Sequence, residues 1–338
     1  MGETCAAPGS LSIHVVLVRM AWNTTRGDHD GWESGVASSS LRPLTSGHVL
    51  TYHLSSSTNQ QVGRGCTTGT AIIEVNNTMF MSWNDKRHSD CITTSDFFDS
   101  GSVFIFDASH MLYGCSIWPS FWTKGENWPA GGEIDIMEVI NGMTENQMAL
   151  QLDQWRVAHA HNRETNRNSY GPGFAASGGG VFTTLFDDTQ IAIWFWPRSS
   201  VPASVSSVTS SMDISEWGTP LVNYTSSACN IGTPQQLVLD VTLYGDRDWA
   251  GVVSIYTETG CAILGGRRGE RNVINNGNTT AYFEINYIKV FNRNGTVLGA
   301  GGATSSVDAS ATCVASKGAS ATGSEILSYV LCLANIYK

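Results

Sequence analysis

The chain has 338 residues, 41% of them hydrophobic and only 14% charged, with a formal net charge of −10 at pH 7. That balance excludes partners that need a basic face, nucleic acid and anionic membrane surfaces above all. The length suits one large all-β domain or two ordinary ones, with enough apolar residues for a sizeable core. The charged fraction lies well below the usual quarter, and Ser, Thr, Asn and Gly take the place of charges, as is common in exported proteins.

Residues 1–44 form an N-terminal segment that is only partly assignable. Its apolar run LSIHVVLV (Leu11 to Val18) contains His14 and follows no Lys or Arg, so it does not read as a standard export leader. Export is nonetheless expected, to the cell exterior or the cell wall. Five glycosylation triplets, at Asn23, Asn76, Asn223, Asn278 and Asn294, point that way. Eight cysteines are scattered with no CxxC pair. They predict disulfides in an oxidising compartment rather than a zinc site, with a pairing that sequence does not reveal. No run of about 18 apolar residues occurs, so no spanning helix is expected.

Residues 45–292 read as a succession of strands. In chain order the clearest are TAIIEV (Thr70 to Val75), SVFIF (Ser102 to Phe106), EIDIMEV (Glu133 to Val139), IAIWFW (Ile191 to Trp196), QLVLDVTLY (Gln236 to Tyr244) and FEINYIKVF (Phe283 to Phe291). β-Branched and aromatic residues fill them. Turn clusters such as Ser177-Gly-Gly-Gly180 and Asn275-Asn-Gly-Asn278 separate them. Long helical periodicity is absent, so an antiparallel sandwich or barrel is predicted. His159-Ala-His161 reads as a loop pair, and Arg267, Arg268 and Arg271, interrupted by Glu270, as a solvated loop. Residues 293–338 are a Gly-, Ala-, Ser- and Thr-rich tail ending in EILSYVLCLANIYK. The tail is expected to be flexible. A small-residue stretch before an apolar end is similar to a lipid-anchor signal, but the apolar end is short, contains Glu325 and finishes in Lys338, so sequence leaves the anchor open.

The stretch GGEIDIMEVI (Gly131 to Ile140) carries Glu133, Asp135 and Glu138 among apolar residues. On a strand Glu133 and Asp135 share a face, while Ile134 and Ile136 face the core. Glu138 is out of phase by one residue. A β-bulge, with Met137 as the extra residue, would return it to the same face. Three carboxyls so placed cannot all ionise comfortably, and at least one must hold its proton to higher pH. A protonated carboxyl beside an ionised one is the pair that glycoside hydrolysis uses. Two other readings fit these six residues: a solvent-facing acidic edge and a divalent-metal site. The approach GCSIWPSFWTKGENWPAGGE places Trp118, Trp122 and Trp128 just before the acids, and Trp249 follows in DWAG. Tryptophan faces stack on sugar rings, which favours a polysaccharide cleft, although each tryptophan taken singly also fits a core position.

Glu133-Ile-Asp-Ile-Met-Glu138 with its tryptophan-rich approach resembles the active-site strand of glycoside hydrolase family 16, the laminarinases and lichenases, most closely the fungal endo-β-glucanases. FDASHM (Phe106 to Met111), GCSIWPSFW (Gly114 to Trp122), SYGPGF (Ser169 to Phe174), WFWPRSSVP (Trp194 to Pro202) and DWAG (Asp248 to Gly251) are similar too, in the family's order over roughly residues 45–292. The resemblance implies a β-jelly-roll sandwich of two curved antiparallel sheets with a concave glucan cleft. It implies Glu133 as nucleophile, Glu138 as general acid/base and Asp135 as helper between them. It also implies substrate contacts from Trp118, Trp122, Trp128, Gln151 and Trp249. The bulged spacing is similar to the hydrolases of the family rather than to its transglycosylases. Gln151 stands where fungal relatives usually have a cleft histidine, and DQWRVAHAHNRE (Asp153 to Glu164) departs from the family pattern. The expectation is a monomeric, secreted endo-β-1,3(4)-glucanase acting on β-glucan without a cofactor. A non-catalytic glucan-binding protein and a glucan transglycosylase are the alternatives. Family members can hold a structural calcium, but no ligands for one, and no metal site, are identified here.

Overall fold

The computed structural model describes residues 96–152, 164–207, 214–225, 231–243, 253–261 and 280–292, together with strands at 10–12, 14–16, 20–25, 64–67, 70–74, 89–94, 157–163, 211–213, 297–298 and 316–317. We label the strands that build the site in chain order: β1 Thr70–Glu74, β2 Ser89–Thr94, β3 Ser102–His110, β4 Ile117–Gly125, β5 Glu133–Glu138, β6 Gln147–Gln151, β7 Val157–Arg163, β8 Gly180–Asp187, β9 Gln190–Pro197, β10 Val222–Tyr224, β11 Gln235–Leu243 and β12 Tyr282–Asn292.

Two antiparallel sheets, each of nine strands among the described residues, carry all of these. The front sheet runs β7-β6-β5-β4-β11-β2 and ends on Met20–Thr25. The back sheet runs from Ser316–Lys317 through β10-β9-β8-β3-β12-β1 to Arg64–Thr67. All six segments expected as strands are strands. The helices within the described residues are short: Gly171–Ala176, Ala203–Ser206 and Val253–Glu258.

Period-two alternation explains how the back sheet is buried on both faces. On β3, Phe104, Phe106 and Ala108 enter the main core, while Val103 and Ile105 join a second apolar cluster on the other face. β8 repeats this, with Phe182 and Phe186 in the main core and Val181 and Leu185 in the second cluster, which Trp194 and Trp217 complete. The sheets meet where Phe106 of β3 stacks on Phe121 of β4, ring centroids 4.6 Å apart. Because Phe121 points inward, Trp118, Ser120 and Trp122, out of phase with it, point to the opposite face of the front sheet.

A disulfide joins Cys115, ahead of β4, to Cys261, just after helix Val253–Glu258. His159 and His161, expected on a loop, lie instead on edge strand β7, because that segment pairs with β6 from Gln147↔Arg163 to Gln151↔Val157. Trp249, the 267–271 arginine cluster and most of the 293–338 tail lie outside the described residues. Within the tail, Val297–Leu298 pairs with Phe97–Phe98 and Ser316–Lys317 pairs with β10.

Candidate active site

The site begins with a hairpin. Gly125 donates from its N–H to Gly132 O at 3.1 Å, and Trp128 N–H reaches Gly125 O at 3.2 Å. A Cβ on Gly125 would stand 2.3 Å from Gly131 O, and Gly132 has φ +80°. Only glycines permit this close crossing and this backbone. Gln235 Nε2 donates to Gly131 O at 3.0 Å and fixes the loop to β11. The folded-back loop carries the Trp128 ring toward the first residue of β5.

β5 then runs between β4 and β6 with a break in register. Against β4, Asp135 faces Trp122 and Met137 faces Phe121, so Ile136 is the residue without a partner. Against β6, Asp135 faces Ala149 and Glu138 faces Gln147, leaving Met148 opposite both Ile136 and Met137. The bulge expected at Met137 therefore exists but spans Ile136–Met137, with Ile136 as the extra residue toward β4. Glu138 returns to the face of Glu133 and Asp135, opposite Ser120 of β4, which shares that face with Trp118 and Trp122.

Glu133, Asp135 and Glu138 are 0%, 1% and 1% exposed. This rules out the solvent-facing edge. Among the described residues no group of three or more His, Cys, Asp or Glu is arranged to hold a metal ion. Trp128 Nε1–H and Gln151 Nε2–H both donate to the Glu133 carboxylate, one to each oxygen. Trp118 Nε1–H donates to Glu138 Oε1 at 3.0 Å. Trp122 lies opposite Asp135 within the main apolar cluster, edge-to-face with Trp128 at 6.1 Å, and its Nε1–H has no protein partner. Of the eight residues singled out from sequence, seven thus gather on one face.

Burial drives all three carboxyls toward the protonated form. It pushes Glu133 up to about 8, opposed by the Trp128 hydrogen bond and reinforced by the charge of Glu138. Asp135 is raised well above the usual range by burial, then by the charge of Glu133 and a hydrogen bond with it. Glu138 is raised likewise by burial, then by the charges of Asp135 and Asp240, while the Trp118 N–H works the other way. The Gln151 amide, hydrogen-bonded to Glu133, also eases charge on Asp135, but as ionised groups Glu133 and Asp135 have no donor between them. A proton on Asp135 supplies one. Trp128 and Gln151 ease charge on Glu133, against the burial that pushes it up to about 8, while burial and neighbouring charge hold Asp135 and Glu138 well above the usual carboxylate range.

Three neighbours escaped the sequence reading. Asp240 of β11 lies opposite Ser120, which lies opposite Glu138, so the three side by side continue the acidic face. Its signal was available, since it too is an acid within an apolar strand. Ser120 Oγ is buried with no protein partner. Asn146, buried just ahead of β6, bonds to the β5 backbone and follows no periodic pattern in sequence.

The family model described as "XgeA-like, catalytic GH16 domain" matches residues 41–166 and 152–291. A probable endo-1,3(4)-beta-glucanase of Aspergillus niger is 31% identical over 274 residues, 72% of this chain and 36% of its own length. A probable glycosidase of Schizosaccharomyces pombe is 33% identical over 209 residues, 53% of this chain and 48% of its own. The chain therefore spans half or less of the length of these relatives. Among solved structures, laminarinase 16A of Phanerochaete chrysosporium superposes with a TM-score of 0.58 at 28% identity, covering 68% of this chain and 85% of that one. A structure described as an elongating GH family 16 beta-1,3-glucosyltransferase gives 0.54 at 32% identity, covering 67% and 84%. With the family model matching well over half of the chain and the acids placed on one buried face, this chain belongs to glycoside hydrolase family 16.

Proposed function

We propose that the chain is a retaining endo-β-1,3(4)-glucanase. One observation carries this reading: of two glutamates gathered across the bulge, Glu133 receives two N–H donors while Glu138 is raised by burial and neighbouring carboxylates. Such a division of labour suits double displacement. Glu133 attacks the anomeric carbon as the glycosidic C–O bond breaks and Glu138 gives its proton to the departing oxygen. Glu138 then takes a proton from water, whose oxygen displaces Glu133. Asp135 holds Glu133 through the shared proton. Trp118, Trp122 and Trp128 line the face along which the glucan lies. No cofactor takes part. The five glycosylation triplets, low charge and disulfide support action outside the cell.

The test is release of reducing ends from laminarin and lichenan, with the anomer formed first read by NMR. The wild type is expected to yield β-anomer and Glu133→Gln to yield no product. Binding without cleavage by the wild type would reject the reading. A second reading is transfer, favoured by the 32%-identical elongating glucosyltransferase. Products longer than the donor oligosaccharide would select it.

A further inference from the structure

The acid/base glutamate lies after an irregularity, and irregular strands need something to hold them. The side-chain period of a strand is two, so losing the extra residue of the bulge by a one-residue slip would turn Glu138 to the opposite face of the sheet. Met148 of β6 alone faces Ile136 and Met137, which leaves the ladder short at this point.

Asn146 fills that gap. Its Oδ1 accepts from Glu138 N–H at 3.1 Å and its Nδ2 donates to Ile136 O at 2.9 Å. One carboxamide thus takes both backbone groups that flank Met137, one accepting and one donating, as a strand residue would. Asn146 is itself immobilised. Its N–H donates to Ser169 Oγ at 2.9 Å, its carbonyl accepts from Glu164 N–H at 2.9 Å, and none of it is exposed. Ser169 immediately precedes Tyr170 at the start of helix Gly171–Ala176, so the clamp is referred to a part of the fold separate from β5.

We infer that Asn146 is a positioning residue for the proposed glucanase reaction: its side-chain amide locks the bulge and thereby aims Glu138 at the leaving oxygen. It does not touch the substrate and acts only through Glu138. The inference rests on the glucanase reading, and it has a consequence that a general contribution to stability lacks. A misaimed acid matters where the leaving group needs a proton and matters little where it does not.

The experiment compares kcat/KM for laminarin with kcat/KM for a 2,4-dinitrophenyl glycoside of a short β-1,3-gluco-oligosaccharide, in the same preparation of wild type, Asn146→Ala and Asn146→Asp. Both constants report steps up to glycosylation of Glu133, and their ratio is independent of the fraction folded. Asn146→Ala is expected to lower the laminarin value about 100-fold, the lower end of what a positioned general acid contributes, and the activated substrate only several-fold. Asn146→Asp, of the same shape, keeps the acceptor for Glu138 but sets an acceptor against Ile136 O, and is expected to give a smaller split in the same direction. Glu138→Ala sets the benchmark with the largest split. An unchanged ratio in both Asn146 variants overturns the inference, as does loss of both activities in protein with wild-type near-ultraviolet circular dichroism. A wild type that cleaves neither substrate overturns the glucanase reading itself.

Discussion

Replacing Trp128 with phenylalanine tests the electrostatic arrangement at its centre. The substitution removes one of two N–H groups that donate to the Glu133 carboxylate and leaves an aromatic ring to pack near Trp122. A hydrogen bond to a charged group contributes roughly 1.5–3 kcal/mol. At about 1.4 kcal/mol per pKa unit, its loss moves the first ionisation of the acidic cluster upward by about one to two units. The sign follows from the proton inventory: Glu133 must be ionised to attack, and the lost donor had stabilised that ionised form. The acid limb of the pH profile of kcat/KM on laminarin is therefore expected to shift to higher pH, with Gln151 alone remaining as N–H donor. Well below the limb the variant should be slower by roughly 10- to 100-fold, and on the alkaline side of the shifted limb the loss should shrink to whatever ring stacking contributed. A pH-independent loss, or a limb displaced to lower pH, would refute the assignment of charge to Glu133.

Two further outcomes follow from the same structure. Glu133 is raised from 4.5 to about 8, so its folded form favours the proton. Stability from this group is full below about pH 4.5 and declines as pH rises toward 8. Glu133→Gln is expected to unfold several degrees above the wild type at pH 8 and to lose that advantage at pH 4, as measured by calorimetry. The Cys115–Cys261 disulfide closes a loop with a sequence separation of 146. Chain entropy gives it at most about 5 kcal/mol, so Cys115→Ser with Cys261→Ser should lower the urea midpoint clearly. Little change there would mean that the bridge constrains the unfolded chain less than its span implies.

The strands, and the gathering of Glu133, Asp135 and Glu138, were legible because local alternation is written into the chain itself. An acid that breaks the phase of an apolar strand points to a bulge, and the spacing alone placed it at Met137. Its register was not legible: Ile136 rather than Met137 lacks a partner on β4, and only the pairing partners decide this. His159 and His161 illustrate the same limit, since β7 is a strand through its pairing with β6 and not through an apolar pattern of its own.

What the sequence determined alone is therefore the all-β class, the acidic face and its tryptophan-lined approach, all consequences of side-chain period and residue type. Tertiary structure decided which indole or amide N–H reaches which carboxylate, that Asp240 continues the acidic face through Ser120, that Asn146 holds the bulge, and which cysteines meet. Those contacts join segments far apart in the chain. Their distances depend on the order of strands in a sheet and on the loop that folds Trp128 back over Glu133, and no local property of the sequence specifies either.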